Sequence, residues 1–531
     1  MELISLNFAF VLIAILLAYY AVGRFAPSRQ WIVLLLGSIV FYGLAGGWPL
    51  LVWVIVIALV TWGAGIWLNK LETAGKAARK EAKGREAKKA VKARFVRKKR
   101  FVLIGALAVC VGILGYFKYW NVLLSYAGLT ESPTSLGILL PLGISFYTFQ
   151  SLGYLIDSYN AKYEPQTNFA RYLLFISWFP QMIQGPINRY DAMSSQLFKA
   201  RHADSEGIRR ALVRLGFGLM KKIAIANVLS GVVQAVFVTA AGPNIPGSLA
   251  IYGVLAYSIQ MYADFSGGID IVEGVSELFG IQMAQNFRQP YFSVSLADFW
   301  RRWHMSLGAW VRDYVFYPLA VTAPSRRFGK WAGKHLGRHA GRTLPACVAN
   351  IIVFLLVGLW HGAEMHYVVW GLYNGVVVAL SDLCSPLFDW MVNKLHVKRE
   401  STWFRVFSIV RTFVIVCIGR FFDCFALVGD SFLALRNVVM GHAYIPLTQA
   451  LELYGASHPE KLGFNYPTIA ACLILVVVDV MYERGRDVRT DVLNWRLPVR
   501  VALYLIVILI TLASVSYDTS NGGGGFLYAN F

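Results

Sequence analysis

Apolar runs of membrane-crossing length recur from one end of the chain to the other. Residues 3–23, 31–46, 48–68, 101–125, 136–156, 223–241, 248–272, 344–361, 364–381, 403–424, 464–482 and 498–516 reach or approach the length in question, about 20 residues for a helix spanning the hydrocarbon core. Peptide groups in lipid must be paired within the protein, so such runs fold as helices or as closed barrels. No alternation of apolar and polar residues points to a barrel. The fold class read here is an all-α polytopic membrane protein with twelve crossings. Hydrophobic residues make up 57% of the chain, against about 45–50% in soluble domains. The first run, MELISLNFAFVLIAILLAYYAVG, lacks a basic start and a small-residue cleavage site, and is read as a retained span.

The net charge of +21 raises the question of nucleic acid, and its distribution answers against it. Residues 70–100 hold fourteen Lys and Arg against three Glu, about half of the excess. A basic block beside a membrane span marks a cytoplasmic loop near anionic lipid. Its good helix formers predict a solvated or lipid-surface helix. Residues 187–222, 324–342 and 394–399 are also basic. With twelve crossings all of these loops fall on one side, which places both termini outside the cytoplasm. The six cysteines form no CxxC pair and read as small apolar residues. His335 and His339 are four apart in a basic stretch with no carboxylate between them, so no metal site is read.

Several segments break the apolar pattern. Pro141 and Gly143 interrupt the run at 136–156, and FISWFPQMIQGPINRY places two prolines and two glutamines in an apolar stretch. That pattern fits an interrupted or re-entrant helix lining a polar cavity, or a short kink. In MYADFSGGIDIVEGVSELFG, Asp264 lies in the apolar part and is read as a hydrogen-bond anchor or the partner of a basic group. Ser266 and Asp270 share a helical face. Asp270, Glu273 and Glu277 read as a solvated carboxylate stripe. In NFRQPYFSVSLADFWRRWHMSLGAWVRDYVFYPL, Trp300, Trp303, Leu307, Trp310 and Tyr314 recur on one face of a single predicted helix, with His304 at its flank. Asp298 with Arg302, and Arg420 with Asp423, are spaced to pair.

The sharpest feature is Asn350–Leu380, where an apolar run climbs to Gly358-Leu359-Trp360-His361-Gly362, passes Glu364 and becomes apolar again. An ionisable side chain at membrane depth is costly unless it faces a protected interior. From these residues alone two readings stand: His361 as a general base, or a histidine bonded to a neighbour at a helix end. The tail SYDTSNGGGGFLYANF is a glycine tether followed by Phe526, Tyr528 and Phe531. It reads either as a plug folding into an outward cavity or as an interfacial aromatic anchor.

Taken together, LLPLGISFYTFQSLGYLID, FPQMIQGPINRY, YADFSGGIDI, NFRQPYFSVSLADFWRRWHMSLGAWVRDY and GLWHGAEMHYVVWGLYNG resemble the membrane-bound O-acyltransferase family. The nearest likeness is to its alginate O-acetylase branch; the teichoic-acid D-alanyl transfer proteins are also similar. These motifs run from about 136 to 381, and the outer spans fit more loosely. The resulting division is N-terminal spans at 1–125, a catalytic core at 126–385, C-terminal spans at 386–516 and a tail at 517–531.

The resemblance implies a ring of 11–12 helices around a thinned centre, with a tunnel where a cytoplasmic acyl donor meets an external acceptor. It carries the catalytic role onto His361 and a second histidine role onto His304, and with it the catalytic reading of His361 is preferred. Asn286 and Asp264 take support or substrate contact, and Trp303 and Trp360 wall the tunnel.

Acyl transfer from a thioester to an alcohol needs a base for the hydroxyl proton and donors for the oxyanion. Neutral His361 is the expected base. His304 has three roles open to it: orienting the acceptor, positioning His361, or donating to the oxyanion. Tyr528 is a candidate acyl relay, a tethered phenol that receives the acyl group and passes it outward. The expected function is acyl transfer, in the first place acetyl, onto an envelope polysaccharide in the plasma membrane of a bacterium. The expected donor is acetyl-CoA or an acyl carrier protein, with no bound cofactor. Expected partners are the polymer, the bilayer, a carrier and an extracytoplasmic acyltransferase. D-alanyl transfer to teichoic acid, a glycan flippase and a secretion scaffold are the competing classes.

Overall fold

A computed structural model describes residues 3–129, 139–239, 245–441 and 465–517, together with 446 and 449. Among these residues the regular structure is helical, and the one strand-like feature is an isolated antiparallel bridge between Phe287 and Trp303. Among the described residues, seven helical runs are long and apolar enough to cross a membrane, or eight if the bent pair Met365–Leu383 and Ser385–Lys394 is one span. The chain is an all-α, multi-pass membrane protein.

The expected count of twelve differs from this for physical reasons. Two expected spans lie in one 55-residue run, Pro27–Glu81, turned at Gly47 with φ 91°. Ile144–Tyr159 has 16 residues, short for a crossing. Gly247–Leu278 and Thr402–Cys424 carry charged and polar side chains that lower their apolar character.

The chain divides into two compact units, Met1–Leu212 with Val272–Ala284, and Val213–Ile271 with Gln285–Phe531. In the first, the basic block is not one helix but the tip of a hairpin. Leu51–Glu81 and Arg85–Tyr126 run antiparallel around Gly84, whose φ of 88° suits glycine. Lys99 closes the tip by donating to Glu72 at 2.7 Å. Ala64, Leu68, Val102, Ala106 and Leu155 pack beneath it. The break expected near Pro141 is a helix start at Ile144. Gly143 precedes it at φ 69°, and a Cβ there would lie 2.1 Å from the Met182 carbonyl oxygen.

FISWFPQMIQGPINRY is interrupted as expected. Helices Phe169–Ser177 and Phe179–Gln184 meet at Trp178, and the segment is buried. The Gln181 amide bonds inward: it donates to Gln150 at 3.0 Å and accepts from Asn188 at 3.0 Å.

In the second unit the α-helix ending at Met220 passes into a π-helical stretch, Lys221–Asn227. Such wide turns mark functional or strained sites. This one aims two consecutive lysines inward. Lys222 pairs with Asp264 at 2.6 Å, both side chains at most 4% exposed. Lys221 donates to Ser266 at 2.9 Å and pairs with Asp270 at 2.5 Å. Asp264 therefore has its basic partner, and Ser266 and Asp270 share the face the spacing predicts. The solvated stripe is corrected: Asp270 is ion-paired and Glu273 is buried, because this helix is enclosed by protein at that depth.

Arg338–His361 and Met365–Leu383 form the expected hairpin. Glycines let the two backbones touch: a Cβ on Gly358 would lie 2.3 Å from the Tyr367 oxygen, and one on Gly371 2.4 Å from the Phe354 oxygen. Small residues serve this purpose where lipid gives no hydrophobic drive to helix association. Gly371→Val is expected to destabilise the protein by about 1–3 kcal/mol through overpacking. A lowered thermal midpoint of the detergent-purified variant checks this, and an unchanged midpoint refutes the close approach.

Candidate active site

The site forms where a helix stops and restarts. Ser295 caps Leu296–Arg302, its hydroxyl accepting from the Asp298 N–H at 3.1 Å. Arg302 bridges Asp298 at 3.1 Å and Glu483 at 2.7 Å, so the expected Asp298–Arg302 pair forms. Trp303 is extended and His304 is left-handed, φ 48° and ψ 51°; helix resumes at Met305–Val311. The single helix expected here is thus two short ones, and His304 is the joint between them. A left-handed non-glycine residue costs on the order of 1–3 kcal/mol and such residues gather at functional sites.

Backbone from the NFR segment holds the joint open. The Arg288 N–H donates to the Arg302 carbonyl at 3.0 Å, and the Met305 N–H to the Asn286 carbonyl at 2.9 Å. These bonds occupy peptide groups that the broken helix releases, as burial requires.

His304 is 4% exposed. Its ring meets Phe265 edge-on at 4.9 Å and Trp360 at 6.1 Å. Nδ1 lies 3.1 Å from Asn286 Oδ1. Outside the long membrane-crossing helices, this imidazole is pushed by burial down to about 3. It is neutral at physiological pH. Trp303, also buried, stacks on Phe299 at 5.5 Å and lies under the Arg420 guanidinium at 5.0 Å. Arg420 pairs with Asp423 at 2.8 Å, as its spacing predicts.

His361 ends the helix Arg338–His361. Gly362 follows, where a Cβ would lie 2.2 Å from the Glu364 carboxylate and 2.5 Å from the Tyr367 ring. The His361 ring contacts Trp360 at 4.8 Å, Trp370 at 5.3 Å and Tyr367 at 5.9 Å. Trp360 therefore touches both histidines. Trp300, against Trp370 at 5.5 Å, donates to Asn374 at 3.2 Å.

Of the residues singled out, the structure gathers His304, His361, Asn286, Trp303 and Trp360 into one aromatic setting, in which His361 is half-buried and the other four are buried. Asp264 stands one residue before Phe265 and is engaged with Lys222. Tyr528 lies outside the described residues. Sequence reasoning missed Lys222, whose partner is 42 residues away, and Glu483, which joins Arg302 to Arg405. It also missed His366, buried and bonded through Nδ1 to the Phe425 carbonyl at 3.0 Å. Its position five residues after His361 was the available signal.

Removing one member of a buried ion pair strands the other charge. Asp264→Asn is expected to cost about 3–5 kcal/mol, and Asp264→Leu with Lys222→Met to recover most of it. Unfolding midpoints of the variants decide, and equal midpoints for Asp264→Asn and wild type would refute the pair's role.

Residues 165–421 match the model of the membrane-bound O-acyltransferase family. A probable alginate O-acetylase of Pseudomonas syringae pv. tomato is 34% identical over 332 residues, 60% of this chain and 57% of that protein. The peptidoglycan O-acetyltransferase of Helicobacter pylori is 26% identical over 82% of this chain and 83% of its own length. The teichoic acid D-alanyltransferase of Bacillus subtilis is 30% identical over 60% of this chain and 76% of its own length. The chain spans about half the length of the alginate O-acetylases it matches. With these motifs in family order and two histidines gathered on one tryptophan, the chain belongs to the membrane-bound O-acyltransferase family.

Proposed function

We propose that this protein transfers an acyl group, acetyl, from a cytoplasmic thioester to hydroxyls of an extracytoplasmic envelope polysaccharide. The observation that carries this reading is the Trp360 ring with His304 and His361 both against it, His304 buried and His361 half-buried among aromatic rings. Acetyl is favoured over D-alanyl because the relatives named for acetyl transfer reach 36% identity and the Bacillus subtilis D-alanyltransferase 30%. The donor is acetyl-CoA or an acyl carrier, and an extracytoplasmic acyltransferase is the expected partner for the outward step. Both termini lie outside the cytoplasm in this reading.

In the chemical step the hydroxyl oxygen attacks the thioester carbonyl carbon while neutral His361 takes the hydroxyl proton. The tetrahedral oxyanion then collapses, the C–S bond breaks, and the thiolate leaves and takes the proton back from the imidazolium. In a cell deleted for this protein, polysaccharide esters released by mild base should disappear, returning with wild type and not with His361→Ala. The expected loss is on the order of 100-fold or more. Full ester content with a folded His361→Ala protein defeats the base assignment, and the acid released identifies the acyl group. A flippase predicts no ester change at all.

Tyr528 is proposed as the relay between the inner and outer transfers, on the strength of its glycine tether. Tyr528→Phe should abolish ester transfer to the polymer; undiminished transfer excludes the relay.

A further inference from the structure

Among the three roles open to His304, its hydrogen bond with Asn286 rules one out, donation to the oxyanion. Asn286 is 1% exposed, and its Oδ1 lies 3.2 Å from the Ser306 backbone nitrogen, 2.8 Å from Ser306 Oγ and 3.1 Å from His304 Nδ1. A backbone N–H only donates, so the amide atom facing it is the acceptor oxygen. Turning the amide over would set its NH2 against that N–H, donor against donor. With an acceptor facing Nδ1, that nitrogen must carry the hydrogen, because a bare Nδ1 facing an oxygen makes no hydrogen bond. Which ring nitrogen of a neutral imidazole is protonated is set by the bond the other makes.

We infer that Asn286 is a positioning residue that holds His304 as the Nδ1–H tautomer, so that Nε2 meets the substrate as a hydrogen-bond acceptor. A nitrogen presenting a lone pair does not donate to an oxyanion. It receives an O–H, and the chemical class that supplies one is a polyhydroxylated acceptor. The hydroxyl held by Nε2 is a second one on the acceptor sugar, beside the hydroxyl that receives the acyl group. His304 thus orients the acceptor. Ser306 contributes through its main chain, which fixes the sense of the Asn286 amide, and the left-handed turn at His304 brings Ser306 N–H and Nδ1 onto one oxygen.

The substrate part of this inference rests on the acyl-transfer reading; the tautomer does not. The full-length protein, labelled with 15N-histidine and held in lipid nanodiscs without substrate, gives distinct signals for protonated and lone-pair ring nitrogens. The His304 pair is identified by its absence in His304→Gln. The expected spectrum has Nδ1 protonated and Nε2 bare, and a protonated Nε2 with bare Nδ1 overturns the inference. In Asn286→Asp one carboxylate oxygen still accepts from both groups, so the tautomer and at least about half of the cellular ester content should persist. Asn286→Leu should lose the single tautomer and lower ester content on the order of tenfold. Should Asn286→Leu fail to fold, the wild-type spectrum and Asn286→Asp decide alone. An Asn286→Asp protein with the tautomer intact and no ester, or an Asn286→Leu protein unchanged in both, also overturns it. Full activity of His361→Ala would instead sink the base assignment and leave the spectrum standing.

Discussion

Peptide groups freed inside a membrane protein must be bonded by the protein itself, and this constraint governs the whole site. The chain stops being helical at Trp303 and His304, where an ordinary helix would have kept every bond in place. The segment from Asn286 to Arg288 lies antiparallel to the break and takes up the released groups. Only because that segment is there can His304 hold a left-handed conformation. The same segment delivers Asn286 to the imidazole. Support of the backbone and control of the ring therefore come from one short stretch.

A second layer is electrostatic. The second unit buries Lys222 with Asp264, Lys221 with Asp270 and Arg420 with Asp423, and joins Arg302 to Glu483. Charge at this depth is tolerated only when paired. These pairs surround the site elements without supplying the chemistry. Arg302 clamps the helix ahead of the break, and Arg420 lies over Trp303 on its far end. Asp264 and Asp270 on Gly247–Leu278, and Arg420 and Asp423 on Thr402–Cys424, thus have partners inside the protein.

The third layer is contact packing. Gly358 and Gly371 allow the hairpin helices to touch backbone to backbone, which fixes where Trp360 and His361 emerge. Trp360, Trp370 and Tyr367 then crowd the His361 ring. Rings of this size restrict the imidazole without charging it, which suits a neutral proton acceptor.

The all-helical membrane class was legible in the chain, since run length and the need to pair peptide groups leave little else. So were local features: the hairpin about His361, the start after Gly143, the interruption at Trp178, and the pairs Asp298–Arg302 and Arg420–Asp423, all set by near neighbours. Motif order was enough to single out His361, His304 and Asn286. The remaining features depend on segments far apart in the chain. The aromatic period at Trp300, Trp303 and Trp310 reads as one helix, because periodicity is blind to a left-handed residue whose neighbour Trp303 is bridged to Phe287, 16 residues before it. The carboxylates at Asp270 and Glu273 read as solvated, because nothing local shows that Lys221 and Arg214 pair with the first and that the second is buried. Which nitrogen His304 presents was likewise invisible in the chain. That depends on one oxygen shared by three donors, and only the folded backbone brings those donors together.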